Sequence, residues 1–477
     1  MNPLSLILLP VLWVAVALLI PSNRWRPLVL PLAAAMHLGN VLLQVSGDTQ
    51  AIAGGWLVLD PLAKVVILSV ALLFQFCALY APGYLRVRHD RPNRIFCGGL
   101  LNMVAMLSLA AMAHHLGLMW VALEATTLAS APMIYFNQTP RALEATWKYL
   151  LICSVGIALA LFGSFFLAYA ALKGGHTPTL LFDDLVAKAH LLSVPWLHAA
   201  FVTLLVGYGT KMGLAPMHTW KPDAYGEAPG IVGAMLAGGV TSGAFVAILR
   251  FTTIMRAAGQ QSFAGPILVA MGLLSMAFAA VFMVRQKDLK RMLAWSSVEH
   301  MGLLVLGAGI GGLALYGALL HLINNALTKG VLFLSSGNIH RAYGSKSTDQ
   351  VTGALARVPW SAGLFLAGFI AITGSPPFGP FLSEFTIVRG VFTAESYVVA
   401  GLLLLLLLVV FMGMGKTVLT AVQGAPPPGS LIVHADSPWL VLPIVGLLGL
   451  VLLLGLYIPP PLAELLQKAA AYLEGTP

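Results

Sequence analysis

Apolar residues run in blocks of about 20 from one end of the chain to the other, separated by short polar or Pro/Gly-containing joints. A helix needs about 20 residues to cross the hydrocarbon core of a bilayer. The blocks begin near residues 3, 27, 60, 96, 116, 148, 196, 230, 263, 293, 312, 361, 397 and 438 and predict about fourteen transmembrane helices. The chain therefore reads as an all-α polytopic membrane protein, a single integral membrane unit over residues 1–477. A short amphipathic tail, "PLAELLQKAAAYLEGTP", follows the last span.

Two spans carry breakers. "GYGTKMGLAPMHTW" stays helix-compatible up to Lys211 and then meets Gly213 and Pro216. "ITGSPPFGPFLSEF" holds Gly374, Pro376, Pro377, Gly379 and Pro380 ahead of Glu384. Proline removes a helical hydrogen bond and clashes with the preceding turn, so the first of these helices is expected to break near residues 213–217. Transporters place ion sites at such breaks, often in duplicated halves. The expected organisation is helices 1–3 within 1–95, a first repeat in 96–250, a second in 263–423, and the last helix with its tail in 438–477.

Composition excludes other classes. Hydrophobic residues make up 59% of the chain and charged residues only 9%, with a mean hydropathy of +0.89. Soluble domains carry about 25% charged residues, and no stretch here is long and polar enough for one. The net charge of +9 is explained by the positive-inside rule without nucleic acid. Odd-numbered loops hold fifteen Lys and Arg residues, while even-numbered loops and the tail hold six. Lys221 is counted with the odd loops and Arg250 with the even ones. The bias places odd loops in the cytoplasm and both termini outside the inner membrane. Cys77, Cys97 and Cys153 have no metal-like spacing and read as packing residues. No nucleotide loop, CxxC or HExxH pattern occurs, so neither cofactor nor metal is expected.

Five lysines fall inside or at the edge of apolar spans: Lys64, Lys148, Lys211, Lys329 and Lys416. Glu124 and Glu384 do the same, and Glu299 and His300 sit just inside another span. An ionised group at mid-bilayer costs at least about 2.5–3.5 kcal/mol and must find a partner, water or a function. Desolvation penalises the charged amine and a nearby carboxylate restores it, so a Lys–Glu pair of adjustable separation can load and release a proton. Glu124 has no charged neighbour in sequence and must be met from another helix. In "HLINNALTKG", His321, Asn325 and Lys329 share one helical face over roughly 12 Å. Such a row can hold waters for proton transfer, or, for Asn324 and Asn325, bond neighbouring helices. Lys64 follows Asp60 at i+4 and reads as its ion pair. His114 and His115 read as satisfied interfacial histidines, and Lys416 as an exit residue or a snorkelling side chain.

The motifs "KMGLAPMHTWKPDAYGEAP", "KDLKRMLAWSSVEHMGLL", "HLINNALTKGVLFLSSG" and "GSPPFGPFLSEF" resemble those of one family. It comprises the antiporter-like, proton-translocating membrane subunits of complex I, membrane-bound hydrogenases and multisubunit cation/proton antiporters. The first motif looks most like the hydrogenase-4 component F type. The resemblance implies fourteen helices, with spans 4–8 and 9–13 as inverted five-helix repeats and helices 7 and 12 discontinuous. It assigns proton transfer to Glu124, Lys148, Lys211, His300, His321, Lys329 and Glu384. It also implies partners: other membrane subunits, with peripheral iron–sulfur and hydrogenase or dehydrogenase subunits reached indirectly. Two departures stand out. "KPDA" replaces the commoner "LPDA", and "LAGGVTSGAF", with Thr241 or Ser242, stands where some members carry a span-8 lysine. The implied function is proton translocation within a complex I-like oxidoreductase. The rival readings are a Na⁺/H⁺ antiporter subunit, a membrane anchor, and a membrane subunit of inorganic-carbon uptake.

Overall fold

The computed structural model describes residues 2–427 and 434–475. Among these residues, eleven helices are long and apolar enough to cross a membrane. The short apolar helices Ser5–Leu19 and Pro359–Ile372 and the helix Val194–Met212 take up the remaining expected span positions. Every expected block coincides with a helix. Cys77, Cys97 and Cys153 are buried free thiols.

The arrangement is inside-out relative to a soluble bundle. The helices Gly230–Ala257, Leu289–Ile310 and Gly312–Tyr343 are almost wholly enclosed, whereas the leucine-rich Tyr397–Val422 and Pro438–Leu456 expose most of their length. The helices with the most polar residues are therefore shielded from lipid by the most apolar ones, as burial costs demand. Small residues let the backbones approach. A Cβ on Gly207 would lie 2.5 Å from the backbone nitrogen of Ala160, and one on Gly272 would lie 2.6 Å from the Gly302 carbonyl. This is the packing expected where apolar transfer gives no drive between helices.

Both breaks are present. Val194–Met212 is capped by Gly213 at φ 78°, and a non-helical stretch leads to Trp220–Glu227. Pro359–Ile372 stops before a turn at residues 373–378, and Gly379–Thr393 resumes. A feature not expected in an all-α reading is a small antiparallel hairpin, Gln50–Ile52 with Leu57–Leu59. Its strands are too short to show a period-2 pattern.

The hairpin delivers Asp60 into a buried ion cluster. Asp60 caps the helix Pro61–Val87 through the Ala63 amide at 2.6 Å. Its other oxygen meets Arg250 at 2.9 Å and His114 at 2.8 Å. His114 reaches on to Asp183 at 3.0 Å, and Arg250 donates to the Ala111 carbonyl at 2.7 Å. Burial alone would raise the Asp60 carboxyl; Arg250 and His114 outweigh it and hold the pKa at about 2. Two sequence readings are corrected here. Lys64 does not pair with Asp60 but donates to the Gly47 carbonyl, because Arg250 and His114 already fill that carboxylate. Arg250 is no loop charge; it is fully enclosed in Thr241–Ala257. Removing one partner of a buried pair leaves the other charge uncompensated, at a cost of about 3–5 kcal/mol. Asp60→Asn is expected to lower thermal stability in detergent by that order, and Asp183→Asn, which removes a carboxylate that is itself exposed, by far less.

The amphipathic tail forms the helix Pro460–Glu474 and buries Leu465, Leu466, Ala469 and Leu473. Its end is held by Arg256, which donates to the Leu473 carbonyl at 2.9 Å.

Candidate functional site

The polar residues inside the spans form a series of bonded groups from Glu124 to Glu384. At one end, Glu124 accepts from Ser154 at 2.9 Å and from Thr127 at 3.1 Å. The same Thr127 hydroxyl accepts from the Lys211 ammonium. A threonine can do both, having one donor and two lone pairs, so it joins the two charges that sequence left unpartnered. Lys211 is fully enclosed and lies 5.5 Å from the centre of the Tyr149 ring. The tyrosine hydroxyl in turn bonds Ser130 at 2.7 Å.

The next cation is Lys221. The charge count placed it in a cytoplasmic loop, and the structure corrects that: it is 0% exposed. Its stem enters through the first break, against Gly213, where a Cβ would sit 2.5 Å from the Lys221 Cδ. Glycine is required there twice, for its positive φ and for this close approach. Among the described residues the Lys221 ammonium has one long hydrogen-bond contact, 3.5 Å, to the Ser297 carbonyl, and lies over the Tyr225 ring at 5.8 Å.

Ser296, one residue away, accepts from Lys329 at 2.6 Å. The helix Leu289–Ile310 thus presents adjacent residues to Lys221 and Lys329. Lys329 is within Coulombic reach of Lys221, Glu299 and Glu384. Beyond it, His300 lies 3.7 Å from Glu299 and 3.0 Å from His321. His321 meets Ser383 at 2.9 Å, and Glu384 lies 4.0 Å from His300. The Ser383 hydroxyl also lies 3.0 Å from the Pro380 carbonyl. Ligand atoms of His300, His321 and Glu384 lie within 4.8 Å of one another, a spacing that would also admit a metal ion.

The second break shapes this end. Gly374, at φ 65°, leaves room for the Glu384 carboxylate, which would lie 2.1 Å from a Cβ. Asn324 donates to the Gly379 carbonyl at 2.8 Å, an interhelical bond of the kind expected for that residue. Asn325 is buried with its Oδ1 unpartnered among the described residues.

Of the seven residues assigned to proton transfer, Glu124, Lys211, His300, His321, Lys329 and Glu384 lie in the row. Lys148 stands apart: its side chain is 45% exposed and bridges Glu144 at 2.6 Å and Asp223 at 2.9 Å. Lys416 is exposed on the outer helix Tyr397–Val422. Thr241 and Ser242 donate back to their own helix, to Ala237 and Gly238 at 2.6 Å each. Thr127, Ser296 and Ser383 were not singled out from sequence, and Lys221 was noted only as a loop charge and as the departure in "KPDA". Thr127 had a signal, standing one turn from Glu124 on the same face.

The chain matches the model of the family described as NADH:quinone oxidoreductase/Mrp antiporter, TM, over residues 113–411. It is 34% identical to a hydrogenase-4 component F homolog of Methylacidiphilum infernorum, over 88% of this chain and 89% of that one. It is 32% identical to the NADH-quinone oxidoreductase subunit N of Desulforudis audaxviator, over 87% of this chain and 84% of that one. Among solved structures, a chain of the Mrp complex from Dietzia superposes with a TM-score of 0.87 at 20% identity, covering 99% of this chain and 97% of that chain. The likeness extends over nearly the whole polypeptide and over both broken helices, and the chain belongs to the NADH:quinone oxidoreductase/Mrp antiporter transmembrane family.

Proposed function

We propose that the chain carries protons across the inner membrane as a subunit of a complex I-like oxidoreductase of the hydrogenase-4 type. The observation that carries the proposal is the succession of bonded polar groups from Glu124 to Glu384 through an otherwise apolar interior. Every member is a titratable group or a hydroxyl bonded to one, as proton transfer requires. Buried polar atoms without a hydrogen-bond partner among the described residues, His300 Nε2, Asn325 Oδ1 and Glu384 Oε1, mark where water would complete the path. Carboxylates at both ends and three amines between them let a proton move as each pair tightens or loosens. The halves 96–250 and 263–423, each with one broken helix, would open to opposite sides of the membrane, and both termini lie outside. Redox energy would come from peripheral subunits through neighbouring membrane subunits.

A Na⁺/H⁺ antiporter is the second reading, favoured by the fold match to the Mrp complex. Thr127→Val separates Glu124 from Lys211 and leaves both charges in place. Loss of that relay is worth about one hydrogen bond, or roughly ten-fold in rate. Proton uptake by vesicles holding the isolated complex is expected to fall by that factor without added Na⁺, with assembly intact. Unchanged uptake, or uptake that requires Na⁺, refutes the reading.

A further inference from the structure

The loops that meet at one end of the molecule enclose a cavity of 450 Å³. Its walls come from odd-numbered loops and adjoining helix ends and include Arg88, Lys290, Arg341 and Lys346, against one carboxylate, Glu227. The charges are not equally committed. Lys346 is taken by Glu227 at 2.8 Å and by Asp288 at 3.3 Å. Lys290 donates to the Ala228 carbonyl at 3.0 Å. Arg88 donates to Asn137 at 2.9 Å and Asp90 at 3.1 Å. Among the described residues Arg341 is the least satisfied: its one long contact, 3.4 Å, is to Asn338, and its Nε and Nη1 are buried without a partner.

Two further features point the same way. The 28-residue helix Gly230–Ala257 begins at this cavity, with Pro229 and Gly230 in its wall. Its first turn has no side-chain cap and no acidic residue. A helix N-terminus offers amide donors and the positive end of the dipole, which together favour anions. His434 lines the same cavity, and burial, followed by the Arg341 cation, holds its pKa below the usual value. Four basic side chains against Glu227 make the lining net cationic.

We propose that this cavity binds a phosphate-bearing anion, held by the fork of Arg341, by Arg88, and by the amide end of the helix Gly230–Ala257. Guanidinium groups match phosphate oxygens two at a time. Basic pockets between helices at the cytoplasmic face are also where anionic lipid headgroups sit. The shared chemistry is the phosphate group, whether of a headgroup or of a soluble phosphate. The proposal is independent of proton transfer.

The test uses the full-length protein in detergent after delipidation. One arm measures retention of phosphatidylglycerol against phosphatidylcholine by native mass spectrometry. The other follows thermal stability against inorganic phosphate. Preferential retention of the anionic lipid, reduced about ten-fold in Arg341→Gln by loss of charge-assisted bonds, supports the site and assigns it to lipid. Stabilisation by phosphate alone, lost in the same variant, supports it and assigns it to a solute. Arg24→Gln, in a separate basic cavity, is expected to change neither. If Arg341→Gln does not fold, Arg88→Gln carries the same comparison. Absence of both effects in the wild-type protein, or equal binding by the arginine variants, overturns the proposal.

Discussion

Lys329→Met is expected to stop proton translocation while leaving the subunit folded and assembled. Methionine keeps the length of the lysine stem and is tolerated in an apolar interior, so the change removes the amine and little else. That amine is bonded to Ser296 at 2.6 Å and lies within Coulombic reach of Lys221, Glu299 and Glu384, which makes it the junction of the row. A positioned proton-transfer group contributes about 10²–10⁴-fold, and a loss of at least roughly 100-fold in proton uptake is expected. Lys329→Arg does not rescue, because a guanidinium stays protonated. Electron transfer in the complex either continues uncoupled or slows in step with uptake. Uptake at the wild-type ratio would show that Lys329 is only packing.

Lys221→Met is expected to be nearly as damaging, and it separates this chain from relatives with a span-8 lysine. The sequence offers only Thr241 and Ser242 at that place, and both hydroxyls donate to their own helix. A Cβ on Gly238, one turn earlier, would lie 3.0 Å from the Ala326 Cα, so this part of the helix packs against the Lys329 helix but brings no titratable group. Lys221 supplies one from the other direction, through the first break. If it carries protons between Lys211 and Lys329, removing its amine should reduce uptake by about 100-fold. Ser242→Lys, on the same face as Gly238, should then restore part of it. If Lys221 only fills the space beside Gly213, methionine fills it equally well and uptake is unchanged. Full uptake in Lys221→Met, or no recovery with Ser242→Lys, contradicts the relay role.

These two lysines show what the sequence made visible and what it hid. Lys329 was legible because a single amine inside a long apolar helix has no cheap explanation. Lys211 and Glu384 were legible because Gly and Pro beside them announced the breaks. Lys221 was hidden by a rule that works on average. Eight residues past the break, between Trp220 and Pro222, it looked like one more loop charge of the positive-inside bias. Only the fold shows that the loop turns back into the interior. The Asp60–Arg250 pair was hidden for a related reason: its partners are 190 residues apart, while Lys64 stood one turn away and invited a local pairing. Local spacing predicted elements and breaks well. Partners that come from distant helices were beyond it, and Thr127 as the bridge between Glu124 and Lys211 was one of them.

Whether protons themselves travel along the row is read most directly from the internal pH of sealed vesicles holding the isolated complex, energised by its own electron donor in Na⁺-free medium. A pH gradient is expected to form in wild type, to collapse on addition of a protonophore, and to be absent in Lys329→Met at matched protein content. A gradient that appears only when Na⁺ is supplied, or one of equal size in Lys329→Met, would contradict proton transfer along the row.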